Sequence, residues 1–272
     1  MTEAEEEALA EAYERALALE KAGDAAAPAA WAEVLALNAA DPGGAALRLA
    51  ALRAGPIPER APPAYVATLF DQHAEVFDGI LVDQLEYGAP MLARERAQAL
   101  GLGPFRRMLD LGCGTGLAAE AFEDMTAERV GVDLAPGMLE IADEKELYDE
   151  LFLGDAVGFL KEETEQWDLI AAMDALPYIG DAAPLFRAAA ARAAPGAIFA
   201  FSTETLPEAD FAGRGWTVTP HQRFAHPRAA LVTLLEEAGF ALLEAEEIMV
   251  RREQGAPIAG HLFLARKPAG PV

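Results

Sequence analysis

Two textures of apolar and polar positions divide this chain. Residues 3–53 follow a helical period. Leu9, Tyr13 and Leu17, with Ala10 and Leu19, recur at roughly helical spacing, and Glu3, Glu5, Glu6, Glu7 and Glu11 crowd the amino end, where a helix dipole favours negative charge. Gly23-Asp24 breaks this first helix. A second, 25–38, buries Trp31, Val34, Leu35 and Leu37, and Asp41-Pro42 starts a third as a cap followed by proline at the first helical position. Four prolines within 55–63 predict a stiff linker. Beyond it, 65–85 has an irregular helical pattern on Leu69, Phe70, Phe77, Ile80, Leu81 and Leu85, and 91–100 forms a helix ended by Gly101-Leu102-Gly103.

From Arg107 onward, short apolar runs alternate with helical segments. Strands are expected at 108–111, 129–133, 151–153, 167–172, 197–201, 242–250 and 260–265, and helices at 117–122, 136–145, 182–192 and 227–237. This alternation predicts an α/β fold: a doubly wound, mostly parallel seven-stranded sheet covered on both faces. The connection 251–259 is too short for a crossover helix, so the last strand should run antiparallel. The organisation expected is a helical segment 1–55, a proline-rich linker 56–64 and a main domain 65–267.

Chemistry concentrates where the predicted strands end. Gly112, Gly114 and Gly116 stand between the first strand and its helix, a place where glycines allow a tight turn and close approach of a ligand to the backbone. A dinucleotide fingerprint needs a third glycine where Leu117 stands, and a phosphate-binding loop needs a lysine that is absent. Both a nicotinamide oxidoreductase and a P-loop enzyme are disfavoured. Asp110 at the head of the turn suits a cationic or hydrogen-donating ligand group. Asp133, at the end of the second strand, can accept the hydroxyls of a ribose, and Asp155, ending the third in Gly154-Asp155-Ala156, can accept from an adenine amino group. Three acids at three successive strand ends share the edge where open α/β sheets bind ligands.

These motifs, with Val132-Asp133-Leu134-Ala135-Pro136-Gly137-Met138 and Trp167-Asp168-Leu169-Ile170-Ala171-Ala172-Met173-Asp174, resemble the class I S-adenosylmethionine-dependent methyltransferases over 65–267. The resemblance implies a Rossmann-like methyltransferase fold, S-adenosylmethionine as cofactor and a methyltransferase activity. It assigns the methionine moiety to the turn carrying Asp110, Gly112, Cys113, Gly114 and Gly116, the ribose to Asp133 beside Leu134, and the adenine to Asp155 and Ala156 with Met138 as an apolar neighbour. Met173, just after the fourth strand, is implied as a further cofactor-binding residue. No metal ligands are implied. Asp174-Ala175-Leu176-Pro177-Tyr178 departs from the Asn/Asp-Pro-Pro-Tyr/Phe of amino-group methylases acting on nucleobases and glutamine, which favours a different small-molecule acceptor.

Methyl transfer needs positioning above all, and a base only where the acceptor must lose a proton. His226, Asp174 and His73 are the candidates, His226 first because 223–227 falls on a loop that faces substrate in this fold, with Tyr65 and Tyr178 as orienters. The polar interruptions Asp71, Gln72 and Asp78 predict that 65–85 lies across the cofactor mouth as a lid. The stretch 23–42 resembles one tetratricopeptide unit of ~34 residues, and with 69–78 it is similar to a bacterial methyltransferase subgroup carrying such repeats. A protein partner could dock there, and a non-catalytic cofactor-binding or docking protein is the alternative function.

Composition narrows the partners. Lys plus Arg number 21 against 45 Asp plus Glu, a net charge of −24, and no basic run exceeds two residues. Nucleic acid, whose phosphates demand clustered cations, is disfavoured. The single cysteine, Cys113, excludes an intrachain disulfide and suits a reducing, cytoplasmic compartment. No charge-free stretch approaches the ~18–20 residues of a membrane span, and the glutamate-rich start is unlike a signal peptide.

Overall fold

The structure is a computed structural model that describes residues 2–72, 74, 77–79 and 85–269. Strands β1 (Phe105–Leu111), β2 (Thr126–Asp133), β3 (Glu150–Leu153), β4 (Trp167–Ala172) and β5 (Ala193–Glu204) pair in parallel in the order β3-β2-β1-β4-β5. Two long strands finish the sheet, β8 (Ala241–Glu253) and β9 (Ala256–Arg266); β9 runs antiparallel to both β5 and β8. Gln254 and Gly255 turn between them with φ of 51° and 80°, the doubly positive geometry of a two-residue hairpin turn. Among the described residues the sheet has nine strands, not the expected seven. The additional pair, β6 (Thr217–Val218) and β7 (Phe224–Ala225), is only two residues long on each side, too short to leave a periodic signature.

Alternation along the strands puts apolar side chains on both faces. Met108, Leu169 and Ala171 join Ala93, Ala97 and Phe122 of the layer formed by α5 (Ala89–Ala99) and α6 (Leu117–Ala121). Leu109, Leu111, Ile170 and Ala172 join Leu160, Leu185, Phe186, Leu231 and Leu235 from α8 (Ala156–Glu162), α9 (Ala183–Arg192) and α11 (Arg228–Glu237). A sheet buried on both faces reads as continuous apolar runs, which is why these strands were visible. Helix α8 was not expected, because Gly154-Asp155-Ala156 read only as the end of the third strand; Asp155 caps the helix, accepting from the Gly158 N–H at 2.9 Å.

The amino-terminal helices α1 (Glu3–Lys21), α2 (Ala27–Leu37) and α3 (Ala45–Ala51) enclose a small core around Trp31, which packs edge-on to Tyr13. Glu20 accepts from the Trp31 indole N–H (2.6 Å) and from Arg48 (2.9 Å). Gly44, not Asp41, is the cap residue of α3; Asp41 accepts from the Ala45 and Ala46 N–H groups at the helix start, and the helix begins three residues beyond the expected proline. The other face of α3 does not stand apart. Leu47 and Ala50 are buried with Val66, Tyr178, Val218 and Phe224 of the main domain, so the boundary expected at 56–64 carries packing on both sides. Among the described residues no helix is long and apolar enough to cross a membrane.

Candidate active site

The parallel register sets the carboxyl ends of β1, β2, β3 and β4 along one edge, and a pocket partly open to solvent lies there. Asp110, Asp133, Asp155 and Asp174 all line it, with Gly112, Cys113, Gly114, Leu134, Ala156 and Met173. Asp133 is committed to holding the glycine turn: its Oδ2 accepts from the Gly114 N–H and its Oδ1 from the Ala135 N–H, both at 2.9 Å. Each carboxylate oxygen keeps a second lone pair for a ligand hydroxyl. Gly112, Gly114 and Gly116 all adopt positive φ, and a Cβ on Gly114 would meet nothing within 4 Å, so this residue leaves space for a ligand.

Asp110 carries the sharpest electrostatic signal. It is 1% exposed; Tyr148 donates its hydroxyl to Oδ2 at 2.7 Å, while Oδ1 has no protein partner among the described residues. Burial, opposed by the Tyr148 bond and reinforced by the nearby Asp133 charge, pushes its pKa up to about 7. A buried acceptor without a donor is costly, and a cationic ligand group would satisfy it. The methionine ammonium of S-adenosylmethionine is such a group. The four acids, the open space at Gly114 and the orphaned Asp110 oxygen therefore fit that cofactor.

A second set of charges backs the opposite wall. Asp174 has a left-handed backbone (φ 56°), uncommon for a residue with a side chain, held by its N–H donating to Ser202 Oγ. Its carboxylate meets Arg251 at 3.2 Å, and Arg251 is 1% exposed and also binds buried Glu204. Arg223 donates to Tyr178 Oη (3.2 Å) and to Glu253 (2.8 Å), and Glu253 also meets His221. Burial raises the pKa of Glu204, against the pull of both arginines.

Over the mouth, α4 (Pro63–Asp71) and the described residues that follow contribute Val66, Phe70 and Phe77, with Phe70 edge-on to both Phe77 and Tyr178. The polar interruptions of this segment have partners on the cofactor side. Asp71 accepts from the Gly137 N–H at the start of α7 (Pro136–Glu144); Asp78 meets Thr115 of the glycine turn and Lys145.

Several expected site residues stand elsewhere. His226 does not line the pocket. It is 1% exposed, its Nε2 donates to the Gly180 carbonyl and its Nδ1 pairs with Thr203 Oγ1, each at 2.9 Å, and burial lowers its pKa to about 4. It is a neutral structural residue behind the wall. Met138 is buried with Ala74 and Ala135 rather than exposed to the pocket, and Gly116 packs on Tyr148. His73 lies outside the described residues. The positions missed are Tyr148, Glu204, Arg251 and Arg60. Glu204 and Arg251 left no trace, since both lie beyond the apolar runs expected to end at 201 and 250, in strands that extend further.

A family model described as a methyltransferase domain matches residues 84–245. The ubiquinone biosynthesis O-methyltransferase of Bordetella avium is 34% identical over 102 residues, 36% of this chain and 42% of that protein; the one of Xanthomonas campestris is 30% identical over 113 residues, covering 40% and 47%. The chain thus spans less than half the length of these curated relatives. Among solved structures, an S-adenosylmethionine-dependent methyltransferase from Clostridium acetobutylicum superposes with a TM-score of 0.55 at 17% identity, over 74% of this chain and 99% of the other. The [4+2]-cyclase SpnF gives 0.59 at 19%, over 79% and 99%. The N-methyltransferase NodS from Bradyrhizobium japonicum, in complex with S-adenosyl-L-homocysteine, gives 0.56 at 15%, over 75% and 98%. The three structural likenesses establish the Rossmann-like methyltransferase fold, and the match of the domain over more than half the sequence establishes that this chain belongs to the methyltransferase-domain family.

Proposed function

We propose that the chain is an S-adenosylmethionine-dependent methyltransferase acting on a small molecule, through an oxygen acceptor as in the curated relatives' names. The observation that carries this reading is Asp110: a buried carboxylate oxygen without a donor, at the head of a glycine turn, in the pocket that Asp133 and Asp155 share. When bound, the cofactor supplies an electrophilic methyl group on a sulfonium. The chain's own residues bind and orient. Asp110 would hold the ammonium, Asp133 the ribose hydroxyls and Asp155 the adenine amino group. Val66, Phe70, Phe77 and Tyr178 would exclude water and pack against an apolar acceptor. Asp174, paired with Arg251, would accept the acceptor's proton.

A tetratricopeptide-like subgroup, a partner docked on α1–α3 and a cytoplasmic location complete the proposal. They are supported by the Trp31-centred helical core and the lone cysteine.

Calorimetric titration with S-adenosylhomocysteine and with NADH tests the reading. Saturable binding of the first and none of the second is expected. Binding of NADH alone would overturn it. If S-adenosylhomocysteine binds but labelled methyl groups from S-adenosylmethionine reach no catechol or other phenol, the non-catalytic alternative gains support.

A further inference from the structure

The proline-rich stretch ahead of α4 reaches the pocket. The Pro58 carbonyl accepts from the Trp216 indole N–H at 3.1 Å, the Glu59 carbonyl from the Asp181 N–H at 2.7 Å, and the Ala61 N–H donates to the Tyr178 carbonyl at 2.9 Å. Arg60 itself faces Ile179 in an isolated antiparallel bridge. Residues 58–61 are thus laid along the backbone that follows β4, and Ala61 is buried. From this strap the Arg60 guanidinium crosses to Asp155 at the end of β3, donating to Oδ2 at 2.7 Å, and both side chains line the pocket. The other oxygen of Asp155 is taken by the cap of α8. Both partners are therefore held from behind, Asp155 by a helix terminus and Arg60 by backbone bonds on either side of it.

We propose that Arg60 is a positioning residue for the nucleoside end of the cofactor site, fixing the Asp155 carboxylate in the pocket, and that residues 58–61 form one wall of that subsite. This rests on the cofactor reading above. It makes a segment preceding the matched methyltransferase domain part of the ligand site. Side-chain exposures of 45% for Arg60 and 33% for Asp155 leave the pair largely screened, so its loss should be felt in ligand affinity and hardly in folding.

The test uses the full chain and two probes, S-adenosylhomocysteine and 5′-methylthioadenosine, which keeps the nucleoside and lacks the amino acid. Arg60→Ala should weaken both by the same factor, about five- to tenfold, and Arg60→Lys should recover part of the loss. The melting temperature of the unliganded variants should stay within about 2 °C of the parent. Asp110→Asn should instead separate the two probes, weakening S-adenosylhomocysteine and sparing methylthioadenosine. Undiminished affinity of Arg60→Ala, a loss confined to S-adenosylhomocysteine, or a large drop in melting temperature would overturn the proposal. If the parent chain binds neither probe, the cofactor reading itself fails, and the Arg60 assignment falls with it.

Discussion

The two ends of the pocket are built differently. The glycine-turn end draws Asp110, Gly112, Cys113 and Gly114 from one unbroken stretch, with Asp133 at the end of the neighbouring strand binding that turn directly. At the opposite end Asp174 lines the pocket, and behind it Glu204, Arg223 and Arg251, from separate stretches of chain, are joined to it through side-chain ion pairs. A backbone-built end has its chemistry written as a local motif. A side-chain-built end has none, and can change its acceptor by single substitutions without disturbing the turn. Four expected outcomes break or sharpen this contrast.

The largest effect belongs to the side-chain end. Removing one partner of a buried charge network strands the others, at a cost of roughly 3–5 kcal/mol. Arg251→Met should therefore lower stability by that amount in urea denaturation, through the uncompensated Glu204 and Asp174. A loss below about 1 kcal/mol would mean that Arg251 is not the network's centre.

Next comes Asp133→Ala. Charge-assisted bonds contribute on the order of 1.5–3 kcal/mol each, so S-adenosylhomocysteine affinity should fall by at least ~10-fold in a chain that remains folded. Unchanged calorimetric affinity would remove Asp133 from the site.

Asp110 yields a pH dependence. Its pKa is raised from 3.8 to about 7. Below pH 4 this raised value contributes its full stabilisation to the unliganded chain, which is lost as pH rises through 7. A ligand ammonium selects the ionised form, so S-adenosylhomocysteine affinity should rise roughly tenfold from pH 6 to pH 8 with proton release. Asp110→Asn should flatten that profile; an equally steep profile in the variant would place the titrating group elsewhere.

The smallest effect is expected for His226→Gln. Stability should drop by about 1–3 kcal/mol from the broken buried bonds, while S-adenosylhomocysteine affinity stays within about twofold of the parent. A large, selective loss of affinity would return His226 to the pocket wall.

What was legible in the sequence follows the same division. β4 was expected over its observed residues, and the parallel order, the antiparallel close and the three strand-end acids follow from apolar runs and glycine spacing. Asp71 and Asp78, expected to lie across the cofactor mouth, bond to Gly137 and to Lys145. His226 misled because a loop position predicts exposure, whereas here the loop folds back and both ring nitrogens are taken by Gly180 and Thr203. The proline-rich stretch misled in the opposite sense. Prolines stiffen a segment whether it bridges solvent or lies on a surface, and only the bonds at Pro58, Glu59 and Ala61 tell the two apart. Tyr148 left no mark, since its role depends on β2 and β3 lying side by side.

Amide hydrogen exchange of the full chain with and without S-adenosylhomocysteine is the most direct test of the claim that the carboxyl edge of β1, β2 and β3 holds the cofactor. Exchange should slow at Gly112–Gly116, at Leu134-Ala135 and across the start of α8, and over the described part of the lid, while α1 and α2 stay unchanged. Bound ligand that leaves these three strand ends unprotected would contradict the account.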